Sequence, residues 1–174
     1  MAFRLKQHES VSRSVRRIAR EQIEKAITEI DNPRLTQSKK VHQLRKRCKK
    51  MRGLVRLVRD SMTGDFLYAK ENCEFREVAK PFSQVRDSKT LVDTYDQIVT
   101  QFVKQIREDA FHSIRHQLAQ QRRQLLQHDM DVEKQLGEAR GQFNKALQRV
   151  RRWRLDAKGY DAWSLGFAET YSRA

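Results

Sequence analysis

Six side chains in one segment have the types and spacing to hold a polyanion. His42, Arg45, Lys49, Arg52, Arg56 and Arg59 follow one another at intervals of three, four, three, four and three residues. On a helix turning about 100° per residue they share one narrow stripe, about 25 Å long at a rise of about 1.5 Å per residue. Each is a cation or becomes one on protonation. Arginine offers a planar fork for two oxygens and lysine a movable point charge, which suits a chain of phosphates. Like charges at this spacing repel by a few tenths of a kcal/mol per pair. No acidic residue lies between Ser38 and Arg59 to relieve that repulsion, so core burial, acids on other helices or a bound anion must offset it. The plain alternative is a solvated face tied to Glu21, Glu24, Glu74, Glu77, Asp87 or Asp93. The lack of interleaved acids favours anion binding.

Two further patches have the same character. Arg13, Arg16, Arg17 and Arg20 fall on one face of an earlier segment, and Lys145, Arg149 and Arg152 form a shorter stripe late in the chain. If these segments pack beside the first, the patches line one groove or channel. Other chemistry has little support. His112 and His116 have a helical metal-ligand spacing, but only Glu108 and Asp109 stand nearby as third ligands, and no metal or cofactor is expected. There is no glycine-rich phosphate loop, no Gly-x-Ser-x-Gly and no acidic triad for magnesium, so the expectation is a protein that binds without catalysis. Cys48 lies on an apolar seam and reads as a buried thiol. Cys73 has no evident partner, and Trp153 and Trp163 fit core or bundle-edge packing.

The elements that must position the stripe are helices. Two prolines and six glycines punctuate 174 residues, and no alternation of apolar and polar residues is long enough to argue for a sheet. A first helix is predicted over about 10–30, through Val11, Val15, Ile18, Ala19, Ile23, Ala26, Ile27 and Ile30, and stopped by Asp31-Asn32-Pro33. The second carries the stripe. Its apolar seam, Val41, Leu44, Cys48, Met51, Val55, Val58 and Met62, alternates spacings of three and four. Thr36 or Ser38 caps it, and Gly64 supplies a left-handed stop. Further helices are predicted near 66–80, broken by Pro81, then about 85–105, about 107–127, from 129 towards Gly159, and about 161–172. Short connectors imply antiparallel neighbours in an all-α helical bundle.

The net charge is +15 and unevenly placed: +12 over residues 1–60, −2 over 61–139 and +6 over 140–158. Two basic blocks around a neutral middle concentrate anions locally. The paucity of cysteine fits a reducing compartment. No apolar run has the length of a signal peptide or a membrane span, and a cytoplasmic protein without membrane contact is expected.

The segment VHQLRKRCKKMRGLVRLVR resembles the signature of the CHAD domain, the conserved histidine α-helical domain, which reads approximately H-x-x-R-x-x-x-[RK]-[RK]-x-R-x-x-x-R. It falls on His42, Arg45, Lys49, Lys50, Arg52 and Arg56. PFSQVRDSKTLV is similar to the family's Gly-x-x-Arg-Asp turn, placing Arg86 and Asp87, with Ser83 where the family has glycine. SLGFAETYSRA is similar to its Gly-x-x-x-Thr-Tyr-x-Arg segment, placing Gly166, Thr170, Tyr171 and Arg173. The resemblance implies an all-α fold of two helical bundles related by a pseudo-twofold. It also implies binding of inorganic polyphosphate in a basic central channel, with no catalysis required. The resemblance carries His42, Arg45, Lys49, Lys50, Arg52, Arg56 and Arg86 as binding residues, and the basic stripe and patch add Arg59, Arg13, Arg16 and Arg20. By the same resemblance, residues 1–174 are expected to be the N-terminal half of such a domain, with a second basic helix belonging to the other half. The expected partners are therefore polyphosphate, on polyphosphate granules, and a second half-domain or a second copy of the chain. Nucleic acid is the alternative polyanion.

Overall fold

A computed structural model of the chain describes residues 3–64, 67–102, 112–126 and 129–172, with side chains except at 84–89, 112, 121–126 and 129–131. Its helices are α1 (Val11–Asp31), α2 (Gln37–Leu57), α3 (Tyr68–Ala79), α4 (Ser83–Gln101), α5 (His112–Leu126), α6 (Asp129–Val150) and α7 (Ser164–Ser172). The one sheet among the described residues is antiparallel and pairs β1 (Met62–Thr63) with β2 (Arg154–Leu155). The fold is all-α, as the sequence predicts. Two residues a side are too few to leave the alternation by which a strand is recognised.

Local chemistry sets the ends of the first two helices. The Ser10 hydroxyl accepts from the Arg13 amide at 3.3 Å and caps α1. Asn32 leaves the helix in an extended conformation, and its side chain accepts from the Arg34 amide at 2.9 Å, turning the chain before Pro33 can be read into the helix. Of the two candidate caps for α2, Thr36 is used, accepting from the Lys39 amide at 3.4 Å. The predicted end of α2 is corrected. The helix stops at Leu57, and a 3-10 turn over Arg59–Ser61 leads into β1. Gly64 does take the left-handed conformation, at φ 64°, but beyond that strand. Likewise α6 ends at Val150 rather than near Gly159, because the chain turns to place Trp153 in the core and β2 against β1.

The apolar seam of α2 is the centre of the core. Val41, Leu44, Cys48, Met51, Val55 and Val58 are all buried, with Leu54 beside them. They pack with Val15, Ile18, Ile23 and Ile30 of α1, Phe75 of α3, Phe82, and Leu136, Phe143 and Val150 of α6. α2 therefore has α1 on one flank and α3 on the other, with α6 and α7 also against it. Burial on this scale, worth about 1.5–3 kcal/mol for each large side chain, is what offsets the repulsion along the stripe.

Two regions contribute differently. α4 and α5 pack mainly on each other, joined by Arg115 and Asp96 at 2.8 Å, and leave Leu91, Ile98, Phe102 and Ile114 exposed. α7 lies across the end of α2 at Gly166. A Cβ there would sit 2.4 Å from the Leu57 carbonyl oxygen and 2.6 Å from that of Arg56, so only glycine permits the approach. The Thr170 hydroxyl donates to the Gly166 carbonyl at 2.7 Å.

Candidate functional site

The cations of α2 divide between its two flanks. Arg45, Lys49 and Arg52 face α3 and line a cleft of about 360 Å³, to which α3 and the turn after it add Arg76, Glu77, Lys80 and Ser83. Among the described residues five cations thus surround one carboxylate, and Glu77 is already paired with Arg76 at 3.2 Å and Lys80 at 3.6 Å. The α2 cations here are held by neutral groups. Arg45 donates to Ser83 Oγ at 3.0 Å and to the Ala79 carbonyl at 3.3 Å, at the negative end of α3. Its Nε–H is buried and has no acceptor among the described residues. Arg52 donates to Asn72 Oδ1 at 3.0 Å. Lys49 is exposed and makes no ion pair among the described residues. Neutral partners orient a guanidinium without cancelling its charge, which is the arrangement an incoming anion needs.

On the other flank the same residue types are occupied. Arg47 donates to Glu29 at 3.0 Å and to the buried Gln22 at 3.1 Å, tying α2 to α1. The Lys50 ammonium lies 5.4 Å from the centre of the Phe3 ring. Burial, then Arg47, Lys46 and Lys25, hold it below the ordinary lysine range. Lys50 therefore stands apart from the cleft of Arg45, Lys49 and Arg52. His42 is exposed one turn before that cleft, and Arg56 is half-buried one turn beyond it. Arg59 lies past the end of α2 and pairs with Asp60 at 3.5 Å and with Glu169 of α7. The continuous helical stripe thus runs from His42 to Arg56, about 21 Å at the helical rise.

The basic patch of α1 does not join this cleft. Arg13, Arg16, Arg17 and Arg20 line a separate cleft of about 710 Å³ with Lys6, His8, Glu9 and the end of α6. Where the sequence allowed one shared groove, the described residues line two clefts with no lining residue in common. Of the late stripe, Arg149 is spent on structure, while Lys145 and Arg152 are exposed. Arg149 donates to the buried Glu71 at 3.1 and 3.3 Å, and the indole N–H of Trp153 reaches the same carboxylate at 3.4 Å. Glu71 also falls in the first turn of α3, where a negative charge opposes the helix dipole.

Arg76 and Lys80 were not singled out in the sequence, yet a signal was present: Asn72, Arg76 and Lys80 recur every four residues, one face of α3. The Arg86-Asp87 segment lies at the start of α4 rather than in a turn, and its side chains are outside those described. Arg173 and the side chain of His112 are also outside them. No cluster of metal-ligating side chains occurs among the described residues. Cys48 is buried, and desolvation pushes its thiol up to about 12 against the opposing pull of Arg45 and Arg52, so it stays protonated and inert. A cavity of about 560 Å³ between α3 and α6 is lined by Glu74, Glu77 and Glu138 against Lys70, a balance that repels polyanions. No described helix is long and apolar enough to cross a membrane.

Helices packed around one central basic helix, with a cationic cleft on its outer flank, define a basic all-α bundle. The CHAD domain model matches residues 17–170, most of the chain, and the chain belongs to that family. No curated protein and no solved structure matches it.

Proposed function

We propose that the protein binds inorganic polyphosphate without catalysis, holding a run of phosphates in the α2–α3 cleft. The observation that carries this is the set of α2 cations facing the cleft which, among the described residues, have neutral partners or none, beside the Glu77 carboxylate already in use. Arg45 and Arg52 supply forks whose direction is fixed by Ser83, Ala79 and Asn72. Lys49 supplies a mobile charge, and Arg76 and Lys80 close the opposite wall. His42 and Arg56 extend the track in both directions. Family membership supports the same ligand class. A cytoplasmic protein at polyphosphate granules is the setting this activity suits.

Nucleic acid offers the same phosphates, and net charge alone accommodates it. Yet no aromatic side chain is among the described residues that line the cleft, so none of them stacks on a base as single-strand binders require. The test is calorimetric titration of long-chain polyphosphate into the wild type and into Arg45→Glu/Lys49→Glu/Arg52→Glu. Each charge-assisted contact is worth about 1.5–3 kcal/mol, so the triple variant is expected to bind at least about a hundredfold more weakly. Equal affinity would overturn the proposal. Duplex DNA or single-stranded RNA at equal phosphate concentration is expected to leave polyphosphate bound, and displacement would favour the nucleic-acid reading.

A further inference from the structure

The cleft between α1, the end of α6 and residues 6–9 is larger than the one on α2 and shares no residue with it. We propose that it is a second anion site, which takes a short run of phosphate groups independently of the first. The ligand class rests on the function proposed above, but the existence of the site does not.

Its charge balance is the first reason. Among the described residues six cations line it, Lys6, Arg13, Arg16, Arg17, Arg20 and Arg151, against the carboxylate of Glu9. That carboxylate is already committed. It accepts from the Ser14 hydroxyl at 2.7 Å and from Arg17 Nε at 2.9 Å. The Ser14 hydrogen bond, then Arg17, keep it below the usual carboxylate range despite its desolvation, so it remains an anion on Arg17. Glu21 takes the other side of Arg17 at 3.2 Å. Arg17 is therefore neutralised, while its neighbours are not.

Those neighbours are arranged as at the first cleft. Among the described residues Arg16 donates to neutral acceptors, the Trp153 carbonyl at 2.8 Å and Ser12 Oγ at 3.0 Å, which fix its direction and leave its charge. Arg13 and Arg151 are exposed and make no ion pair among the described residues. Arg20 has only a loose, exposed pair with Glu24 at 3.7 Å.

The helix end adds a third reason. The first turn of α1 holds no acidic residue and carries Arg13 instead. A cation at the positive end of a 21-residue helix is unfavourable. An anion in the cleft relieves both the dipole and the crowded arginines. With two sites per molecule, a long chain either engages both or bridges molecules, and effective concentration then strengthens its binding.

The test is calorimetry with tripolyphosphate on the full chain, reading stoichiometry as well as affinity. The wild type is expected to bind two per chain. Arg13→Glu/Arg151→Glu, which removes no described side-chain contact, is expected to bind one, with the remaining affinity unchanged. Lys49→Glu/Arg52→Glu is also expected to bind one. A wild type that binds only one, abolished by Lys49→Glu/Arg52→Glu, would overturn the second site and leave the proposed function standing. Loss of all binding in Arg13→Glu/Arg151→Glu alone would support this site and overturn the α2–α3 cleft. Two bound in Arg13→Glu/Arg151→Glu, or none in the wild type, would also overturn the second site. Circular dichroism of each variant confirms that the helices are intact.

Discussion

On the α1 side of α2, Arg47 meets Glu29 and Gln22, and Lys50 lies over Phe3. On the α3 side, Arg45, Lys49 and Arg52 meet a serine, a backbone carbonyl and an asparagine, or nothing described. The residues are of the same kinds, on the same helix, within three turns. What separates them is the chemistry of the neighbour. α1 presents the Glu29 carboxylate and the Gln22 amide, whereas α3 presents neutral acceptors, cations of its own and Glu77, which those cations already hold. A cation's availability is thus decided by the helix it faces: one flank of α2 is tied into the bundle, and the other keeps cations without acidic partners among the described residues.

The comparison makes separable predictions about stability and binding. The largest effect falls on a cation already spent. Removing the partner of a buried pair leaves the remaining charge uncompensated, so Glu71→Ala, which strands Arg149 and the Trp153 indole, is expected to cost about 3 kcal/mol or more in urea unfolding. A change under about 0.5 kcal/mol would mean that the late stripe is free, as the α2–α3 cleft is. A smaller loss is expected on the occupied flank of α2. Arg47→Ala removes charged hydrogen bonds to Glu29 and Gln22 and is expected to cost about 2 kcal/mol, with polyphosphate affinity changed less than about twofold. If affinity falls instead and stability holds, the assignment of the flanks is inverted.

How far the sequence carried this account depends on the distance between partners. The α2 seam was legible because its positions recur within one helix, and every member through Val58 is buried. It misled only at Met62, where the chain has already left the helix for β1. The charge of the stripe was legible for the same reason. Which cations are free was not. The acid that occupies Arg47 lies 18 residues upstream, and the one that occupies Arg149 lies 78 residues away. No local spacing encodes such pairs. The α1 arginines show the same limit: their common face was plain, but which neighbour that face meets depends on α6 returning from the far end of the chain. Arg76 and Lys80 mark an intermediate case, visible as a period of four on α3 but meaningful only once α3 is known to face α2.

The central claim is that binding belongs to one flank of α2 rather than to its net charge. Two double variants with equal charge loss test it directly: Lys49→Ala/Arg52→Ala on the α3 side, and Arg47→Ala/Lys50→Ala on the α1 side, each titrated with long-chain polyphosphate at fixed ionic strength. The first is expected to lose about tenfold or more in affinity, about 1.4 kcal/mol, and the second less than about twofold. Equal losses in the two variants would contradict the account and reduce the stripe to a diffuse positive field.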